Sequence, residues 1–114
     1  MTPRSKLHEF VQLQTTLDDR NLAEALIREA VERRLAACGQ LLGPVSSVYW
    51  WNGAIEEASE WLCVFKTRRA LAASLEGWII ERHPYEVPEI VTLGITRVSR
   101  EYGEWIDNET EEEV

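Results

Sequence analysis

Asn52-Gly53 restricts the fold of this chain more than any other feature. Both central positions of a type I′ turn need positive φ, and Asn-Gly supplies them at the least steric cost, so this dipeptide between two β-rich runs specifies a hairpin. The run before it extends from Val45 to Trp51, and the return strand from Ile55 to about Lys66. At ~3.3 Å per residue the return strand reaches roughly 36 Å, comparable to the whole diameter of a compact domain of ~100 residues. The hairpin is therefore expected to project as an arm. Trp50 and Trp51 are adjacent and face opposite sides of that arm, so one arm alone is ill suited to bury both. Pairing of the arm with another copy of the chain would remove the aggregation hazard of exposed tryptophans on an edge strand.

Around the hairpin the pattern of apolar residues alternates between the two regular periods. Glu9 to Thr15 reads as a half-buried strand. A helix follows, capped by Asp18, with the stripe Leu22, Ala23, Leu26, Ile27, Ala30 and Val31; it is expected to stop near Cys38, with Gly39 in the left-handed C-terminal position. Thr67 is expected to cap a second helix carrying Leu71, Leu75, Trp78 and Ile79. Ile90 to Ile95 reads as the last strand, and Ser99 opens a short helix with Tyr102, Trp105 and Ile106. Strand, helix, strand, strand, helix, strand is the β-α-β-β-α-β order of an α+β, ferredoxin-like sandwich, here with an added C-terminal helix. Residues 9–110 form one domain, preceded by a flexible 1–8 and followed by an acidic tail, 111–114.

Composition removes several function classes. With 20 acidic against 12 basic residues among 114, the formal charge of −8 repels a phosphate backbone, so no nucleic acid is expected as partner. No apolar run approaches the ~20 residues of a bilayer span, and the opening residues do not read as a signal peptide, so no membrane partner and a cytoplasmic location are expected. Cys38 and Cys63, 25 positions apart, form neither a disulfide framework nor a paired zinc motif. No glycine-rich loop lies beside Cys38 to stabilise an oxyanion beyond Gly39 itself, and no phosphate-cradling loop is present, so an enzyme is not expected.

The segment with most chemistry is His83-Pro84-Tyr85-Glu86-Val87-Pro88-Glu89-Ile90. Proline disfavours helix at the residue before it, which biases His83 and Val87 towards extended backbone. If the segment is extended, His83, Tyr85 and Glu89 share a face and Glu86 points the other way; if it turns at Pro84, Glu86 becomes the partner of His83. Either arrangement suits metal binding or proton handling, and a rigid connector with a surface histidine is the plainer reading.

Five segments together resemble one family: Glu32 to Cys38, Ser47 to Glu56, Phe65-Lys66-Thr67, His83 to Ile90 and Tyr102 to Ile106. In that order they look like the CutA divalent-cation tolerance family, over nearly the whole span from Phe10 to Thr110. The chain departs from the family pattern at Leu17, where a proline is usual, and at Gly39-Gln40, where Val-Asn is usual. The resemblance implies a tight homotrimer whose hairpin strands pair between subunits, similar in architecture to PII signalling proteins. It also implies tolerance of copper or another divalent cation, with a metal or small-ligand site between subunits and no organic cofactor. The matching candidates for the metal are Cys38, His83, Glu86 and Glu89, with Trp51 and Tyr85 as walls of a ligand site. A PII-like ligand sensor with no physiological metal is the alternative.

Overall fold

A computed structural model of the chain describes residues 9–111. The elements run β1 (Phe10–Leu17), α1 (Arg20–Glu32), β2 (Cys38–Trp51), β3 (Ala54–Arg68), a 3-10 turn (Arg69–Leu71), α2 (Ala72–Arg82), β4 (Ile90–Ile95) and α3 (Arg100–Glu109). The strands form one antiparallel sheet in the order β2-β3-β1-β4. This is the α+β arrangement expected from the element order.

The main core lies between the sheet and α1 and α2. Leu13 and Leu17 of β1, Cys63 and Phe65 of β3, Leu26 and Ala30 of α1, and Leu75, Trp78 and Ile79 of α2 are all buried in it. Burying each large apolar side chain contributes about 1.5–3 kcal/mol. On the opposite face, α3 covers one end through Ile106, packed with Phe10 and Ala37. Tyr102 and Trp105 of α3 stack on each other at the surface with ring centroids 5.4 Å apart. Beyond α3 that face is open. Val91 and Leu93, register partners of Gln14 and Gln12, stay exposed on it.

The hairpin projects. Asn52 and Gly53 take positive φ of 49° and 79°, and β2 and β3 pair out to Trp51 and Ala54. The molecule extends 53 × 25 × 24 Å, and its radius of gyration of 15.2 Å exceeds the roughly 13 Å expected of a compact chain this long. Val48, Trp50 and Ile55 on the arm are all more than half exposed.

Several local expectations are corrected by the packing. Asp19, not Asp18, caps α1, with Oδ1 accepting from the Leu22 N–H at 3.1 Å. The helix ends at Glu32 rather than near Cys38, because Arg34 takes the left-handed conformation (φ 60°) and Leu35 to Ala37 turn into the core. Gly39 serves β2 instead: a Cβ there would come within 2.5 Å of Ile27 Cγ2, so glycine lets the strand pass close over α1. β2 starts at Cys38, well before Val45, and shifts register between Leu42 and Val45, around Gly43-Pro44. Thr67 caps nothing. It lies in β3, fully buried, and its hydroxyl donates to the Leu35 carbonyl oxygen at 2.7 Å. On the exposed side of α1, Glu24 pairs with Arg20 at 3.0 Å and Glu29 with Arg33 at 3.1 Å. Glu111 is tied down: its N–H donates to the Arg34 carbonyl oxygen at 2.9 Å, and its own carbonyl accepts from Arg68. The expected flexible 1–8 and the tail residues 112–114 lie outside the described residues.

Candidate functional site

The proline segment bends instead of running straight. His83 is the extended C-cap of α2, and bends at Tyr85 to Val87 carry the chain back towards β4. Strict alternation of faces is therefore lost. Tyr85, Glu86 and Glu89 all reach the same groove, whose far side is the β2–β3 arm.

That groove has a volume of about 750 Å³. Residues 47–51 of β2, with Ala58 and Glu60 of β3, form the arm side, and Thr16 and Asp18 from the end of β1 and residues 85–89 of the proline segment complete the lining. Trp51 and Tyr85 thus occupy walls of one groove. Its polar centre is Glu60, only 5% exposed, whose Oε2 accepts from the Tyr85 hydroxyl at 2.8 Å. Burial, the hydrogen bond to Glu60 and the nearby charges of Glu60 and Asp18 push the Tyr85 pKa well above its ordinary value, so the phenol stays protonated as the donor.

His83 sits behind this wall, its ring 4.7 Å from that of Tyr85 and edge-on to it. Nδ1 accepts from the Tyr85 backbone N–H at 3.1 Å. Nε2 therefore carries the proton and donates to the Thr16 carbonyl oxygen, 2.9 Å away. Burial lowers the His83 pKa, opposed by the Thr16 hydrogen bond and by Glu60 and Asp18. The neutral imidazole has no lone pair to spare.

Cys38 is elsewhere. It opens β2 opposite Lys66, whereas Thr16, the partner of His83, lies opposite Leu62. Four strand residues separate the two positions, about 13 Å at ~3.3 Å per residue. The Cys38 sulfur lies 3.6 Å from the Tyr102 hydroxyl. Burial and that contact push the Tyr102 pKa up to about 12. Cys63 is buried in the core, and burial pushes its thiol up to about 12. Among the described residues no three His, Cys, Asp or Glu side chains converge to hold a metal ion. Cys38, His83, Glu86 and Glu89 thus do not form a metal site within one subunit: His83 is already bonded on both nitrogens, and Glu89 accepts from the Gln14 side chain at 3.2 Å.

Of the charged residues that line the groove, Glu60 and Asp18 are the two not among the sequence candidates. The signal for Glu60 was available: in β3 it shares a face with Leu62 and Val64, an unusual place for a carboxylate without a purpose. Asp18 was assigned to a helix cap that Asp19 fills.

Comparison with known proteins decides the family. The model of the CutA1 divalent ion tolerance protein matches residues 11–109. The chain belongs to the CutA1 family. Among CutA relatives, human Protein CutA is 38% identical over 96 residues, which is 84% of this chain and 54% of that protein. The divalent-cation tolerance protein CutA of Thermococcus kodakarensis is 37% identical over 98 residues, covering 86% of this chain and 93% of that one. The chain thus spans about half the length of the human relative and nearly all of the archaeal one. CutA1 from Oryza sativa superposes with a TM-score of 0.89 at 30% identity, covering 96% of this chain and 100% of that one. A point variant of Pyrococcus horikoshii CutA1 gives a TM-score of 0.86 at 36% identity, covering 90% of this chain and 99% of that one. The CutA1 fold, with its projecting hairpin, is the frame on which the groove is built. No helix among the described residues is long and apolar enough to cross a membrane.

Proposed function

We propose that the chain acts in divalent-cation tolerance as a homotrimer, its hairpin arms pairing between subunits, and that copper, another divalent cation or a small ligand is held at the clefts between subunits. The groove between the arm and the proline segment carries this reading. It gathers Glu60, Glu86 and Glu89 beside an arm whose Val48 and Trp50 have no cover within one subunit. Because donors from one subunit do not converge, the cation contacts belong to two subunits: Glu86 and Glu89 are the proposed contacts, Trp51 and Tyr85 the walls, and Cys38 and His83 structural supports. The protein binds, and no reaction is assigned to it. Its free thiols suit a reducing compartment, which favours the cytoplasm.

Calorimetric titration of Cu(II) and Zn(II) into the wild type and a Glu86→Gln/Glu89→Gln variant tests the site. The proposal expects saturable binding of at least one metal, weakened at least tenfold by the double substitution. Unchanged binding overturns the assignment of these carboxylates. Absence of metal binding favours the PII-like alternative, a ligand sensor without a physiological metal, for which the engagement of both His83 nitrogens is the supporting observation.

A further inference from the structure

The C-terminal helix α3 is held differently from the rest of the fold. Among the described residues, none from α3 enters the main core cluster, which joins the sheet to α1 and α2. Ile106 packs instead in a separate small cluster with Phe10, Ala37, Ile95 and Val98. Gly103 provides the close seat: a Cβ there would come within 3.0 Å of Val98 Cγ2 and 3.1 Å of Phe10 Cε2, so glycine lets the helix lie directly on the end of the sheet.

Such a helix is weak by itself. It has 10 residues, and isolated helices shorter than about 12–15 residues are marginal in water. Gly103 lowers its propensity further, and among the described residues the Ser99 side chain accepts no capping hydrogen bond. The strong anchors sit at its C-terminal end. Arg34 Nη1 donates to the Glu109 carbonyl oxygen at 3.2 Å and to the Glu109 carboxylate at 3.0 Å. Arg68, buried at the end of β3, donates from Nε to the Thr110 hydroxyl oxygen at 2.9 Å and from Nη2 to the Glu111 carbonyl oxygen. The Thr110 hydroxyl in turn donates to the Ile106 carbonyl oxygen at 2.9 Å, and the Glu111 N–H to the Arg34 carbonyl oxygen at 2.9 Å. Arg34 belongs to the turn after α1 and Arg68 to the sheet, so residues 109–111 strap the helix to two parts of the main body at once.

We propose that α3 and the strap 109–111 form a lid that opens as one unit while the main core stays folded, with Arg34 and Arg68 as its latch. Opening it breaks no strand pairing and removes no residue from the main core, so it draws on a lower-lying local transition than global unfolding. It separates the Tyr102 hydroxyl from the Cys38 sulfur, 3.6 Å apart when closed, and uncovers Phe10 and Ala37 at the end of the open sheet face. Exposure of that thiol and of that apolar end is then controlled by the strap.

Hydrogen–deuterium exchange of the native full-length protein, read by mass spectrometry at one protein concentration and in the regime set by the opening equilibrium, tests this. Relative to their intrinsic rates, the amides of 103–109 are expected to exchange about tenfold faster or more than those of β1 and β3. Thr110→Val, which keeps the shape and removes the hydroxyl, and Arg34→Gln are each expected to speed exchange in α3 by about another tenfold and to leave β1 and β3 unchanged. Arg100→Gln removes an exposed ion pair with Glu104 but no latch bond, and is expected to alter neither region. Equal protection of α3 and the sheet in the wild type overturns the lid. A parallel rise in both regions in the Thr110 and Arg34 variants, no rise in α3, or an equal effect of Arg100→Gln overturns the latch.

Discussion

His83 and Tyr85 are joined by a hydrogen bond that requires a neutral imidazole, the Tyr85 backbone N–H donating to Nδ1 at 3.1 Å. A protonated ring would present a second N–H there, and the bend that brings Tyr85 to the groove would lose its anchor. Burial holds the folded-state pKa below the ordinary 6.5, so the unfolded chain binds more protons than the folded one in the window beneath that value. The stabilising contribution is therefore complete above about pH 6.5 and is lost as pH falls through the folded-state pKa. Urea midpoints measured at about pH 8 and about pH 5.5 are expected to drop, and the drop is expected to shrink in His83→Gln. An equal drop in both proteins would assign the effect to other groups.

Tyr85→Phe removes the donor to buried Glu60 and leaves the carboxylate with no hydrogen-bond partner among the described residues. Hydrogen bonds to charged groups contribute about 1.5–3 kcal/mol, and denaturant unfolding is expected to show a loss of that order. Glu60→Leu combined with Tyr85→Phe should cost less than the sum of the two single changes, because no polar group is then stranded. Strict additivity would mean that the pair does not act as a unit.

Gly39→Ala is expected to destabilise by about 1–3 kcal/mol, since the new methyl meets Ile27 Cγ2 at 2.5 Å in a packed layer. Ile27→Ala in the same chain should recover part of the loss by opening space. A neutral Gly39→Ala would show that β2 can lift away from α1.

Much of this architecture is legible in the sequence. The Asn52-Gly53 turn, the period-two runs beside it and the α2 stripe of Leu75, Trp78 and Ile79 follow from local rules, because each element's own pattern agrees with its place in the sheet or helix layer. Errors arose where a residue with a strong local habit serves a distant contact. Gly39 reads as a helix terminator and is instead a thin point beneath Ile27; Thr67 reads as a cap and is spent on the Leu35 carbonyl. The partners of His83 and Glu89 are hidden from the sequence for the same reason. His83 and Glu89 are close in sequence, but the hydrogen bonds from His83 to Thr16 and Tyr85, and from Gln14 to Glu89, are set by tertiary packing that spacing alone cannot encode.

The arm itself bears the central claim, because it leaves Val48, Trp50 and Ile55 exposed and no three metal donors converge among the described residues. Multi-angle light scattering of the purified chain tests this most directly. A mass three times that of the 13.1 kDa chain is predicted. A mass of one chain, unchanged across concentration, would contradict it.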